Sequence, residues 1–502
     1  MPRARVALCR WTALALLTAL ATRAPFALID RPFADEAGYA LFARYWLEGL
    51  VPYRDVWDVK PPGLFALYAV AQALGAEPLA AIWILPLLAV CALALAFCAI
   101  GREWFGDVRV GALASVLFCL YSLVGDGLKG PAILLAAPFV AWGLLFARRA
   151  QTGAAALGGA LLGCGVCVLQ SSAFEAAFAF LLVAFAPQTP LGDRARRAGA
   201  LALGGLAPAA AFALLFHWQG ALRDLWEGAV MVALLRSTDH GVGFWDGLIH
   251  NFRGGAKPYL PVYAAAMLMV AERAWLVDAR QRAGARVLLG WFAVAFAGVL
   301  VQRAAHSAYM LAVLAPICLG ASLYALHLFK RLRAGPPRAV ALAAGALALA
   351  YPFWWTFEQV KWDERASIAR AAAQVVTERL ARPGEGDGLY AVDYEPALHL
   401  LTGQRPVSRF VFAMHLHCDF LLPDGVKAGE EIRAAFARTP RFVALHDRQD
   451  SISCIRPAVR TLIQDVLDAH YDLVGVLPPP RPFSRVLIYE LREGMASRLR
   501  SR

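Results

Sequence analysis

Long apolar runs alternate with short arginine clusters over about the first 360 residues. Leu79–Ile100 and Val340–Phe353 contain no charged residue at all. Apolar runs of roughly 18 residues or more are long enough to cross a bilayer as helices. The basic clusters between the runs are Arg102/Arg109, Arg148–Arg149, Arg194/Arg196/Arg197, Arg273–Arg286 and Lys330–Arg333. Basic residues in short loops mark the cytoplasmic side, so the clusters fix the number of crossings. One run, Pro62–Gly75, is too short to span comfortably. If it did span, every later cluster would face outward; laid along the membrane surface as an interfacial helix, it lets all five face inward. The pattern then predicts about eleven spans, at 11–29, 79–100, 109–124, 131–147, 154–169, 172–186, 199–217, 258–275, 287–302, 308–328 and 338–356. The N-terminus lies inside and the C-terminus outside.

The start, Met1-Pro-Arg-Ala-Arg followed by an apolar run, resembles a signal peptide, with Ala21-Thr-Arg-Ala24 in the position of a cleavage site. Apolar character continues to Ile29, which favours an uncleaved first span. The outer face then receives the loops Asp30–Pro78, Gly125–Gly130, Trp218–Lys257 and Arg303–Ser307, with a short turn at Gln170–Ser171. The first and third are long, and long loops in a compact protein are usually functional or disordered. Both are rich in Trp, Tyr and Phe, which argues for order.

After Trp362 the period changes. Asp363–Arg382 reads as a helix that ends at Pro383-Gly-Glu-Gly-Asp-Gly388. Short strands are expected at Leu389–Val392, Phe442–Leu445, Leu473–Leu477 and Val486–Tyr489, alternating with helices near Glu430–Ala437 and Pro457–Ala469. The expected architecture is an α-helical polytopic membrane domain over 1–360 with the long first loop 30–78, followed by an extracytoplasmic α/β domain over 361–502.

Composition agrees: 59% of residues are hydrophobic and 17% charged, below the quarter typical of soluble domains. The net charge of +12 is spent on the arginine clusters that set topology, so it does not point to nucleic acid. Cys164-x-x-Cys167 lies within an apolar, glycine-rich run, where small residues serve helix packing better than redox or metal chemistry. Cys418 and Cys454 share the C-terminal domain and are able to pair if it faces an oxidising compartment.

The chemistry-bearing residues concentrate in the first loop. Asp35 and Glu36 open an expected helix over Ala37–Glu48. There the helix N-terminus favours ionised carboxylates, which suits a base that accepts a hydroxyl proton; plain capping is the structural alternative. Lys60-Pro-Pro-Gly63 heads the interfacial helix, placing an ammonium at the depth of lipid phosphates, although a snorkelling lysine looks the same in sequence. Asp55-Val-Trp-Asp58 reads as a solvated loop rather than a metal site. Asp126 and Lys129, and Arg303 and His306, lie in two short loops at the same outer level.

The order of these features resembles the GT-C glycosyltransferases that use polyprenyl-phosphate sugars, in particular the protein O-mannosyltransferase and aminoarabinose-transferase group. It rests on the acidic pair with Tyr39 close behind, Pro52-Tyr53, Lys60-Pro-Pro-Gly63 and the basic turn Arg102-Glu-Trp-Phe-Gly106, within about the first 110 residues. The rest agrees in layout, with Arg303–Pro316 a loose match. The resemblance implies inverting transfer from a polyprenyl-monophosphate sugar to an acceptor hydroxyl in a bacterial inner membrane. It assigns Asp35 as base and Lys60 as the contact to the lipid phosphate; the loop positions add Glu36 as supporting acid, Arg303 as the partner of Lys60 in a phosphate clamp, and Tyr39, Asp126, Lys129 and His306 to the substrate-binding set. It calls for no metal and no cofactor; the partners are the lipid-linked donor, membrane lipid and an acceptor of unspecified kind. Two departures stand out. The second acid of relatives has only Asp126 as a counterpart, and Leu169-Gln170-Ser171 replaces a basic residue before the sixth span. A transporter or flippase of lipid-linked sugars is the alternative, but charges gather at the outer surface rather than the midplane, and no repeat is visible.

Overall fold

A computed structural model describes the chain apart from residues 1, 28–33, 125–126, 129, 188, 237–248, 250–258, 272–277, 302–306, 333–334, 363–364, 382–383, 385, 393–395, 419–421, 424, 448–454, 478–484 and 501–502. A helix occupies each of the eleven apolar segments. The first seven of these are α1 (Pro2–Ala27), α4 (Pro78–Phe105), α5 (Val108–Tyr121), α6 (Ala132–Ala147), α7 (Thr152–Val168), α8 (Ala173–Ala184) and α9 (Leu191–Trp218). The others are Leu260–Ala271, Ala279–Val301, Leu311–Arg331 and Pro336–Trp362. Between α1 and α4, the first loop carries α2 (Ala34–Leu47) and α3 (Pro62–Ala73).

Local chemistry sets several of these boundaries. Pro62 begins α3 with Pro61 just before it, where a missing N–H costs nothing. α4 stops at Gly106 in the left-handed region (φ 74°), and α5 starts on the Asp107 carboxylate, which accepts the Arg109 N–H. Five described helices are long and apolar enough to cross a membrane, and several of the remaining apolar ones are shorter. Burial separates their roles. The apolar window of the Ala308–Arg331 helix is 78% buried within the protein, whereas those of α9 and the Pro336–Glu358 segment are only 11% buried. An apolar helix left bare on most sides requires lipid around it.

α1 packs against α4 and α5. Its Arg23 is buried and donates to the Gly127 carbonyl at 2.8 Å and to Ser122 Oγ at 2.6 Å. The first helix is therefore built into the bundle. α7 packs most extensively on α9 and α6, and Cys164 and Cys167 remain free thiols, as expected of small residues at a helix contact. Part of the third long loop is helical: Leu222–Leu225 runs into a π-helix over Trp226–Val232 and on to Arg236.

The C-terminal part forms a four-stranded sheet of β1 (Leu389–Ala391), β2 (Phe442–Asp447), β3 (Tyr471–Leu477) and β4 (Arg485–Leu491), in the order β1-β2-β4-β3. β1 runs parallel to β2, and the other two pairings are antiparallel. Alternating side chains face opposite sides of a sheet. Thus Phe442 and Ala444 meet Ala372, Val376 and Leu398 on one face, while Val443 meets Ile432, Ile463 and Leu467 on the other. Cys418 is disulfide-bonded; Cys454 lies outside the described residues. The second core also takes in Trp57, Val59 and Val232, so the first loop packs into the C-terminal part.

Candidate active site

Asp35 and Glu36 occupy the first turn of α2. Glu36 is buried and Asp35 half-buried. Tyr39, one turn on, is buried among the rings of Phe65, Tyr68 and Phe412. Burial holds the Tyr39 hydroxyl well above its ordinary range, and the charges of Asp35, Asp58 and Glu36 push the same way. Those three carboxyl groups therefore converge on one phenol. Tyr68, on α3, is buried and feels Glu36 and Asp35; its hydroxyl has no hydrogen-bond partner among the described residues.

Lys60 comes to this cluster through a tightly folded segment. Tyr53 sits in the left-handed region (φ 67°), an uncommon conformation for a bulky residue. Its N–H donates to the Val56 carbonyl at 2.6 Å, and its hydroxyl donates to the Lys60 carbonyl at 2.8 Å. Phe42, Phe65 and Phe216 enclose its ring. Pro52-Tyr53 thus pins the far end of the turn that carries Lys60. Gly63 completes the arrangement. A Cβ there would lie 2.5 Å from the Cys167 carbonyl oxygen, so only glycine lets the head of α3 rest on α7.

Asp58 departs from the solvated loop expected of it. It is 2% exposed. Its Oδ1 accepts the backbone N–H of Val59 at 2.5 Å and of Lys60 at 3.3 Å. Its Oδ2 is buried with no hydrogen-bond partner among the described residues. Burial lifts the carboxyl from 3.8 to about 6, against the opposing influence of Lys60 and the Val59 N–H, and the Asp35 charge adds to the rise. Asp55 behaves as a surface acid: it pairs with Arg54 at 3.0 Å and stays low for that reason. The two aspartates of one short motif are thus divided between an ion pair and a buried site.

Gln170, which stands where a basic residue was expected, has a structural use. Its Nε2 donates to the Val59 carbonyl at 2.9 Å and to the Ala229 carbonyl at 3.1 Å. One side chain thereby ties the Asp58–Lys60 turn to the π-helix. Lys60 itself is half-buried, and its ammonium makes no hydrogen bond to the described residues. Asp35, Glu36, Tyr39 and Lys60 are thus brought into one site, joined by Asp58, Tyr53 and Gln170. Asp126, Lys129, Arg303 and His306 lie outside the described residues. Among the described residues, no three of His, Cys, Asp and Glu form a cluster able to hold a metal ion.

In sequence, no protein-family model and no curated protein matches the chain. In structure, the chain is similar over nearly its whole length to ArnT from Cupriavidus metallidurans bound to undecaprenyl phosphate. The TM-score is 0.62 at 13% identity, with 97% of this chain and 98% of that one covered. The apo state of the same protein gives 0.60 at 14% identity, with 99% of each chain covered. The chain has the GT-C fold. The archaeal oligosaccharyltransferase AglB from Archaeoglobus fulgidus, in complex with an inhibitory peptide and a dolichol-phosphate, is also similar. It gives a TM-score of 0.52 at 13% identity, over 88% of this chain and 69% of that one. In this GT-C chain the acidic turn of α2 and the Lys60 turn form one cluster in contact with the C-terminal part.

Proposed function

We propose that this chain is a membrane glycosyltransferase that moves a sugar from a polyprenyl-monophosphate donor to an acceptor hydroxyl, with inversion at the anomeric carbon. The observation that carries this reading is the meeting of Asp35, Glu36 and Asp58 with Lys60 in a GT-C fold. The ArnT structure holds undecaprenyl phosphate and the AglB structure a dolichol-phosphate, both of them polyprenyl-type lipid phosphates, which supports a lipid-phosphate donor here.

In the proposed step the acceptor oxygen attacks the anomeric carbon and Asp35 takes its proton. The bond from that carbon to the phosphate oxygen breaks, and its electron pair leaves with the phosphate. Lys60, with Arg303, offsets the charge that develops there. Attack and departure on opposite faces account for inversion. Glu36 supports the base, and Asp58 orders the Lys60 backbone. We place the protein in a bacterial inner membrane, with the N-terminus cytoplasmic and the C-terminal domain outside; the Cys418 disulfide fits an oxidising compartment.

The test is sugar release from a panel of labelled polyprenyl-monophosphate sugars by the full chain in lipid, with envelope extract as acceptor source. Turnover of any donor supports the transferase. Movement of intact donor across the bilayer without release would favour a flippase instead.

A further inference from the structure

A polar cavity lies between the first loop and the C-terminal part. Its volume is about 480 Å³, within the range of pockets that hold a small ligand. Arg54, Arg405, Arg409 and Arg438 line it together with the acids Asp55 and Glu431, and Glu48 reaches Arg405 from beside it. Two chain regions distant in sequence therefore contribute four arginines to the wall of one cavity.

Each of these arginines has a hydrogen-bond partner. Arg405 bonds Glu48 at 3.0 Å, Arg54 bonds Asp55 at 3.0 Å, and Arg409 reaches Glu431 at 3.3 Å. Arg438 has a carbonyl as its partner, that of Val407 at 2.9 Å, so its charge is not offset by an acid there. Arg409 also lies over the Phe410 ring, and its Nε–H is buried with no acceptor among the described residues. Guanidinium groups already fixed by neighbours lose little freedom when a ligand arrives, and their planar forks match phosphate and carboxylate.

We infer that this cavity is an anion site, separate from the one assigned to the donor phosphate, which binds a phosphate- or carboxylate-bearing ligand. That chemistry belongs equally to a soluble anion and to the headgroup of an anionic lipid. The site also touches the catalytic turn through the backbone: Val56 lines the cavity, and the Trp57 N–H donates to the Arg409 carbonyl at 2.9 Å. Asp58 follows directly. The inference does not depend on the transferase reading, because binding is measured without turnover.

The experiment uses the full chain in phosphatidylcholine nanodiscs. One arm follows the thermal midpoint against inorganic phosphate, with chloride at matched ionic strength as the control. The other arm uses native mass spectrometry to count phosphatidylglycerol retained from mixed discs. Wild type should bind in at least one arm, and that arm identifies the source of the anion. Arg405→Gln/Arg438→Gln should weaken binding by about tenfold or more. Glu431→Gln keeps an acceptor for Arg409 while removing a negative charge, so it should strengthen binding; a fold defect would not do that. Lys60→Gln should leave the response in place. No binding in either arm, or wild-type binding by the double arginine variant, would overturn the site, as would loss of the whole response in Lys60→Gln.

Discussion

Gly38 on the acidic helix and Phe412 of the C-terminal part are fitted to each other: a Cβ at position 38 would overlap the Phe412 ring. The same ring lies edge-on to Tyr39, with centroids 6.2 Å apart. Nearby, Trp57 packs on Phe410 and His415, each at 5.0 Å. The C-terminal part therefore closes over the acidic cluster and helps to shape it. Gly38→Ala should cost about 1–3 kcal/mol through overpacking, read as a lower thermal midpoint. Phe412→Leu in the same chain should restore part of the loss, a coupling that a double-mutant cycle measures.

Gln170→Ala removes the bonds to the Val59 and Ala229 carbonyls, each worth about 1 kcal/mol. The expected result is faster amide exchange over residues 56–60, a stability loss of up to about 2 kcal/mol, and slower sugar transfer. Equal exchange in both proteins would show that the tie has no hold on the turn.

Asp58 gives a pH signature. Its carboxyl is raised from 3.8 to about 6 by burial, so the folded protein binds this proton more tightly than the unfolded chain does. Its contribution to stability is fully present below pH 3.8 and is lost as pH rises through about 6. Asp58→Asn should flatten the dependence of the thermal midpoint on pH in that window. An unchanged slope would place the titration elsewhere.

Cys418 is disulfide-bonded and buried, so a membrane-impermeant maleimide should label it in spheroplasts only after reduction combined with a denaturant that opens the C-terminal part. Cys418→Ser should destabilise the C-terminal part by about 2–4 kcal/mol, read as protease sensitivity of the sheet domain. Labelling that requires permeabilised cells would reverse the proposed orientation.

Much of the fold was legible because its signals are local. Uncharged runs, arginine clusters and the Pro61-Pro62 start set the helices, and the strand segments of the sheet were found within a few residues, as at Phe442–Asp447 and Arg485–Leu491. Of the residues that cluster around the α2 turn, Asp35, Glu36, Tyr39 and Lys60 stand out in the sequence as candidates from spacing and resemblance. Asp58 does not, because its burial comes from residues far along the chain, Val232 and the Phe410 segment among them, which cover its neighbours Trp57 and Val59. Gln170 was read only as a missing cation, since the carbonyls it meets lie 111 and 59 residues away. The arginine cavity was hidden for the same reason: Arg54 and Arg405 share it through tertiary packing alone.

The central claim is that the Asp35 carboxylate takes the acceptor proton. The most direct measurement compares single-turnover sugar transfer by wild type and Asp35→Asn, with affinity for the polyprenyl phosphate determined on the same samples. Asp35→Asn should lose a factor of about 10²–10⁴ in rate, the usual share of a general base, with lipid affinity nearly unchanged. Transfer by Asp35→Asn at the wild-type rate would contradict it.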